Sequence, residues 1–306
     1  MSVLVELPEE EYSATAFADF APATGFSIGT ARAMAWMSQL AYETRWPDKI
    51  ARVGRMWGLD SVRPLEVPVE SILPLSDTRG ILATGGGAAI IAFAGTDPLS
   101  LRNWISNLYL GRPSADVHEG FQAAAAVAWA DVGTVIEQCV ADDRPLFIAG
   151  HSLGAAIAIV TADRACSEKN LRRAEVHLFG APRAGKAEFV DRYNSSLGAT
   201  TYRFVHGEDI VPTVPPVEWG FHHVGRFLQC ERGGRFDPAR LLDRVDSDEP
   251  SPGDDFVSGI ALRVRDLFAG PLSPTSRNDA LGRLSQLLAP SIADHLPDRY
   301  CHALAP

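Results

Sequence analysis

Small and apolar side chains return at helical spacing between residues 28 and 42: Ala31, Met34, Ala35, Met37, Ser38 and Ala41. That spacing predicts a helix with one buried face. Pro47 suits the first turn of a second helix running to Trp57, because a first-turn residue has no intrahelical use for its N–H. Then the period changes. Short apolar runs at 81–84 and 88–93 flank Gly85-Gly86-Gly87, a hairpin signal. Further along, the pattern predicts an alanine-dominated helix over 120–140, a strand over 145–149 and a helix over 153–166. A strand over 176–179, a helix over 186–195 and strands over 201–205 and 224–230 follow. Continuous apolar strands alternating with helices imply a largely parallel sheet covered on both faces. Right-handed crossovers would then put the strand C-termini, and any site, on one edge.

The pattern weakens at both ends. Residues 1–26 are acidic and rich in small side chains, a loose arm or a cover over the core. From Pro238 the chain turns acidic in "DRVDSDEPSPGDD", a loop, and two amphipathic helices are predicted over 256–268 and 277–288. The expected organisation is an arm over 1–26 and one α/β domain over 27–306, with a helical insertion at about 236–290. No internal repeat is present.

Composition narrows the partners. The 306 residues are 46% hydrophobic and 22% charged, ordinary for a globular chain with a sizeable core. A formal net charge of −10 disfavours nucleic acid and anionic membrane surfaces, which need clustered Lys and Arg, and leaves neutral or apolar substrates open. No uninterrupted apolar run reaches the ~18 residues of a transmembrane segment. The first 26 residues lack a basic start and an apolar stretch, so a cytoplasmic chain is expected. Cys139, Cys166, Cys230 and Cys301 form no C-x-x-C pair, which argues against zinc. Reduced, mostly buried thiols are expected, or two disulfides if the chain is a mature form that has lost a leader.

The candidate chemistry begins in "LFIAGHSLGAAIAIV" at 146–160. Gly150-His151-Ser152-Leu153-Gly154 fits G-x-S-x-G between a strand and a helix, where a sharp turn exposes the serine Oγ and flanking side chains would collide with backbone. Ser152 is the candidate nucleophile, with a plain turn serine as the alternative. A serine needs a base, and the base a carboxylate to orient it. Asp209 follows an apolar strand within a loop fixed by Pro212, Pro215 and Pro216, with Glu208 its nearest rival. For the base, the residues alone leave His222, His223, His295 and His302 open, since all follow Asp209. His118, His151, His177 and His206 read as core or surface rings with satisfied nitrogens. Two backbone N–H donors are needed for the oxyanion: Leu153, after the nucleophile, and Thr96, in the turn after the strand "IIAFAGTDP". In "DPLSLRNWISN" at 97–107, Leu99, Leu101, Trp104 and Ile105 can face an apolar groove or pack as an ordinary helix.

Taken together, "FAGTD" at 93–97, "LRNWISNL" at 101–108, "VHEGF" at 117–121, "GHSLGAA" at 150–156, "LFGAPRAG" at 178–185, "DIVPTVPP" at 209–216 and "DHLPDRY" at 294–300 resemble the class 3 lipase family, the fungal triacylglycerol lipase-like group. The resemblance spans roughly 28–230 and the segment around His295. It implies an α/β-hydrolase fold, Ser152 as nucleophile, Asp209 as orienting acid, His295 as base, Thr96 and Leu153 as oxyanion donors, and a lid over 97–107. It implies hydrolysis of carboxylic esters through an acyl-enzyme, on acylglycerols or similar lipids, with transient contact to a lipid interface. Such chemistry uses no metal or organic cofactor. A phospholipase, a feruloyl-type esterase or an acyltransferase would use the same residues, and a non-catalytic binding scaffold would lack one of them. Three positions depart from the family pattern: Ala94 stands for a common Arg, Asn107 for an Asp found in some members, and Lys186 for Asn or Asp.

Overall fold

A computed structural model describes residues 5–23, 25–65, 78–97, 100–101, 115–242 and 290–306. The predicted helices over 256–268 and 277–288, most of the insertion, and lid positions Leu99, Trp104 and Ile105 lie outside the described residues.

The described residues form a mostly parallel central sheet with helices on both faces. Helix α1 (Ile28–Leu40) starts at Ser27, whose hydroxyl accepts from the Thr30 amide, and α2 (Pro47–Met56) has Pro47 in its first turn. Three strands follow: β1 (Ser61–Pro64), β2 (Gly80–Gly85) and β3 (Ala88–Phe93), each antiparallel to the next. Gly86 and Gly87 take φ of 58° and 80° between β2 and β3, the left-handed pair that a tight two-residue hairpin requires. After α3 (Glu119–Ala141) come β4 (Leu146–His151), α4 (Leu153–Lys169), β5 (Ala174–Phe179), the short β6 (Gly185–Lys186), α5 (Ala187–Leu197), β7 (Thr201–His206), β8 (Phe221–His222) and β9 (Arg226–Cys230). The chain closes with α6 (Pro290–Ala293) and α7 (Pro297–Ala303).

The main sheet has the order β1-β2-β3-β4-β5-β7-β9, parallel from β3 onward. Registers Phe93↔Gly150, His151↔Phe179, Phe179↔Phe204 and His206↔Cys230 bring the C-termini of the parallel strands to one edge. Alternate strand residues build two cores. Ile91, Phe93, Ile148, Val176 and Leu178 face α3, α4 and α5. Ile90, Ala92, Phe147, Ala149, Phe179 and Phe204 face α1, α7 and the N-terminal segment. That two-sided burial explains why β3 and β4 read as nearly continuous apolar runs, and why even the polar residues of β5 and β7 are buried.

Three elements differ from the sequence pattern. β1, with Pro64 and alternating exposure, is an edge strand too short and polar to announce itself. His222 does not open β9; it lies in a separate ribbon in which β6 pairs with β8. And α7 follows His295 directly where a loop is expected, its Pro297 again in the first turn. Residues 5–23 act as a cover: the Val5 carbonyl accepts from Gln39, Tyr12 donates to the buried Glu43, and Asp19 pairs with Arg32. Helix α3 is long and apolar enough to cross a membrane by length and composition. Here Phe121, Ala124, Ala125, Ala128, Val132 and Ile136 are buried in the core it shares with α4.

Candidate active site

Ser152 sits at the junction of β4 and α4 with φ 59° and ψ −129°, a left-handed conformation rare for a residue with a side chain. Its amide is tied to the Phe179 carbonyl of the neighbouring strand at 2.9 Å. The flanking glycines are steric necessities. A Cβ on Gly150 would lie 2.2 Å from the Gly154 carbonyl oxygen, and one on Gly154 would lie 2.4 Å from that of Phe93. Ala155, Ala156 and Ala158 then let α4 lie close against the sheet.

Asp209 follows β7 in a loop held from several sides. Arg183 donates to the carbonyls of Thr213 and Pro215 at 2.6 and 3.1 Å, and the Arg183 amide to Val214 at 2.8 Å. His223 donates Nε2–H to Pro212 at 2.9 Å. The Asp209 carboxylate is buried and multiply satisfied: Oδ1 accepts the Val211 amide at 2.8 Å, and Tyr300 donates to Oδ2. His295 Nδ1 lies 2.9 and 2.8 Å from the two oxygens, so Nδ1 carries the proton that is shared with them. Burial beside that carboxylate pushes the Tyr300 phenol well above its usual range, which keeps it a donor.

Two unsatisfied groups remain at this junction. Ser152 Oγ and His295 Nε2 are both buried, and each lacks a hydrogen-bond partner among the described residues. A buried orphan acceptor and a buried orphan hydroxyl are costly anywhere that nothing will bind between them. Gly180, at φ 57° beyond β5, closes the gap on the other side: a Cβ there would lie 2.5 Å from Asp209 Oδ2 and 2.9 Å from His295 Nδ1.

The candidate oxyanion donors fall at the same edge. Leu153 is the first residue of α4, so its amide has no intrahelical partner, and the positive end of the helix dipole points at the elbow. Thr96 lies in the turn beyond β3, whose Gly95 abuts Ser152. Of the lid candidates, Leu101 is buried in the α3/α4 core, so it is a packing residue in this structure and does not line an open groove.

The sequence left four histidines open for the base; the ring bonded to Asp209 is that of His295. Several neighbours escaped sequence reasoning. Asp294, next to His295, accepts the Glu208 amide at 2.9 Å and both Nε and Nη2 of Arg232 at 3.0 and 2.8 Å. The His295 segment is thereby strapped to the Asp209 loop. His151 is buried between Tyr42 and the His295 backbone. Asp294 and Tyr300 lie at the two ends of "DHLPDRY" and His151 within "GHSLGAA", but nothing in those strings says what they bond to.

Residues 90–219 match the model of the family described as Lipase (class 3). Among known proteins, a secreted mono- and diacylglycerol lipase 1 of Fusarium solani is 32% identical over 154 residues, 46% of this chain and 44% of that protein. A lipase of Rhizomucor miehei is 33% identical over 160 residues, 49% and 44% of the two chains. The chain thus spans about half the length of the curated relatives it matches. A crystal structure of a lipase from Rhizopus microsporus var. chinensis shares the fold at a TM-score of 0.54 and 25% identity, covering 72% of this chain and 79% of that one. These findings correct the cytoplasmic expectation: the Fusarium relative and two further matched relatives are named as secreted. The expectation leaned on the composition of the first 26 residues, which does not decide where a chain works.

Proposed function

We infer that this chain, whose residues 90–219 match the class 3 lipase model, hydrolyses carboxylic esters of lipids through an acyl-enzyme on Ser152. The observation that carries the reading is the Asp209–His295 pair, with Nδ1 held at 2.8 Å and Nε2 left as a buried acceptor at the edge where Ser152 Oγ is a buried hydroxyl without a partner. His295 takes the Ser152 proton at Nε2 as Oγ attacks the ester carbonyl. Asp209 stabilises the imidazolium that forms, and itself stays ionised. The amides of Thr96 and Leu153 hold the charge on the former carbonyl oxygen. His295 returns the proton to the leaving alcohol, water repeats the attack, and the carboxylic acid departs.

Acylglycerols are the substrate class this reading favours. Matched relatives carry mono- and diacylglycerol lipase in their names, and an acidic surface with no large charge on the reacting groups suits a neutral ester. Extracellular work fits the same relatives. A fluorophosphonate probe tests the core of the reading. It should label the wild-type chain and leave Ser152→Ala unlabelled; a chain that resists the probe, or an alanine variant that still reacts, overturns it. A series of nitrophenyl esters from acetate to palmitate, with and without detergent micelles, then separates a lipase from a short-chain esterase.

A further inference from the structure

The histidine before the nucleophile has no place in the mechanism above, yet it is fully buried and both its nitrogens are engaged. His151 Nδ1 lies 2.7 Å from the Tyr42 hydroxyl, and Nε2 lies 2.7 Å from the main-chain carbonyl of His295. The Tyr42 hydroxyl in turn lies 2.9 Å from the Gly95 amide. The direction of every bond follows from the two ends once the His151 ring is neutral. The Gly95 amide can only donate and the His295 carbonyl can only accept. Tyr42 therefore accepts from Gly95 and donates to Nδ1, and His151 is the neutral tautomer with its proton on Nε2. Burial and the nearby His295 ring, centroid to centroid 4.5 Å, both hold His151 well below the ordinary histidine range, in agreement with that tautomer. Burial likewise holds the Tyr42 phenol protonated.

The two ends of this relay are the two halves of the proposed machinery. Gly95 packs directly on the nucleophile: a Cβ there would lie 2.5 Å from Ser152 Cβ and 2.7 Å from the Tyr42 oxygen. Its carbonyl, which shares a peptide plane with the Thr96 amide, takes a hydrogen bond from Arg79 at 3.5 Å. The Gly95 backbone is thus gripped from its amide and its carbonyl, and that grip sets where the Thr96 N–H points. The other end is the backbone of the base itself, on a segment that reaches the site from far along the chain.

We propose that Tyr42 and His151 are positioning residues, a buried relay from the Gly95 amide to the His295 carbonyl that fixes the oxyanion turn and the general base at a set distance across Ser152. Neither touches substrate. The relay rests on the serine-hydrolase reading, and it explains why a polar side chain occupies the position before the nucleophile, inside an otherwise apolar core.

The test uses the full chain. Tyr42→Phe keeps the ring and removes both bonds at the hydroxyl. Deleting an oxyanion donor costs about 10²–10³ in kcat, so misaiming one should cost about 10–100-fold. The expected result is a fall of that size in kcat with KM changed less than threefold on a short-chain nitrophenyl ester. An alkyl trifluoromethyl ketone, whose hemiketal oxyanion reports on the hole, should lose affinity in proportion to kcat/KM. His151→Gln retains a donor toward the His295 carbonyl and should lose less than His151→Ala; it also supplies the comparison if Tyr42→Phe fails to fold. A variant that unfolds no earlier than wild type and keeps kcat within twofold overturns the relay. So does one whose losses appear in KM alone, or His151→Gln matching His151→Ala. Fluorophosphonate labelling separates the two levels: wild type labelled with Tyr42→Phe unaffected sinks the relay only, whereas wild type unlabelled sinks the hydrolase reading and the relay with it.

Discussion

A left-handed backbone angle at Ser152 costs on the order of 1–3 kcal/mol and persists only because its surroundings leave no alternative. Gly150 and Gly154 remove the Cβ atoms that would push α4 off the sheet, and the bond to Phe179 pins the strained amide. Tyr300 plays the matching part for the acid. Its hydroxyl accepts the His206 amide at 3.3 Å and donates to Asp209 Oδ2, so it joins the end of β7 to the carboxylate. Tyr300→Phe leaves that oxygen with the imidazole alone. Hydrogen bonds to charged groups contribute about 1.5–3 kcal/mol, so the variant should unfold at lower denaturant by roughly that amount and lose activity, with urea melts and kcat as the readouts. At this scale the proposed nucleophile was legible in the sequence because strand, elbow and helix are contiguous. Asp209 was legible because it follows a strand directly. His295 was not legible from residues alone: three other histidines satisfied the same ordering, and only the resemblance singled it out. Tyr42 and His151 are 109 residues apart, and nothing local says that they meet.

Between elements, the question is what holds the segment of the proposed base, because residues 290–306 carry His295 in the turn between two short helices. Asp294 answers part of it. Its carboxylate is buried, and it spans the Glu208 amide on the acid loop and the Arg232 guanidinium beyond β9. Arg232→Ala should leave Asp294 with less compensation, and hydrogen bonds of this type suggest a loss of about 1–3 kcal/mol. The informative readout is activity at a temperature where the variant stays folded. A strap predicts a several-fold lower kcat with KM little changed; a purely structural bridge predicts lower stability with kcat intact. The strap was invisible in the sequence because Arg232 lies in a polar stretch that reads as surface loop. The helices and the central strands β3 and β4 were visible, since burial on both faces leaves a run of apolar residues there. β1 was not, since an edge strand needs no such run.

At the scale of the whole chain, the histidines give acid stability a definite sign. Burial and the His295 ring hold His151 well below its ordinary value in the folded state. His223 is held down by burial and by Arg203 and Arg183, and His118 and His206 are lowered by burial. Each is therefore neutral when folded under conditions where the unfolded chain, with ordinary histidines near 6.5, takes up a proton. The unfolded state binds more protons, so stability rises with pH. The contribution is complete above about pH 6.5 and drains away as pH falls from there toward the depressed folded values. For a ring that stays neutral when folded, going from pH 7 to pH 5 costs roughly 2 kcal/mol. His151 and His223, held furthest down, act in this direction, and His118 and His206 push the same way. The midpoint of thermal unfolding should accordingly drop by several degrees between pH 7 and pH 5, and His151→Gln, which removes one such site, should make the slope shallower. A slope that His151→Gln leaves unchanged would mean that His151 takes up its proton as readily in the folded chain as in the unfolded one. The tautomer on which the Tyr42–His151 relay depends would then be wrong, so a melt at two pH values bears on the active site as directly as a rate does.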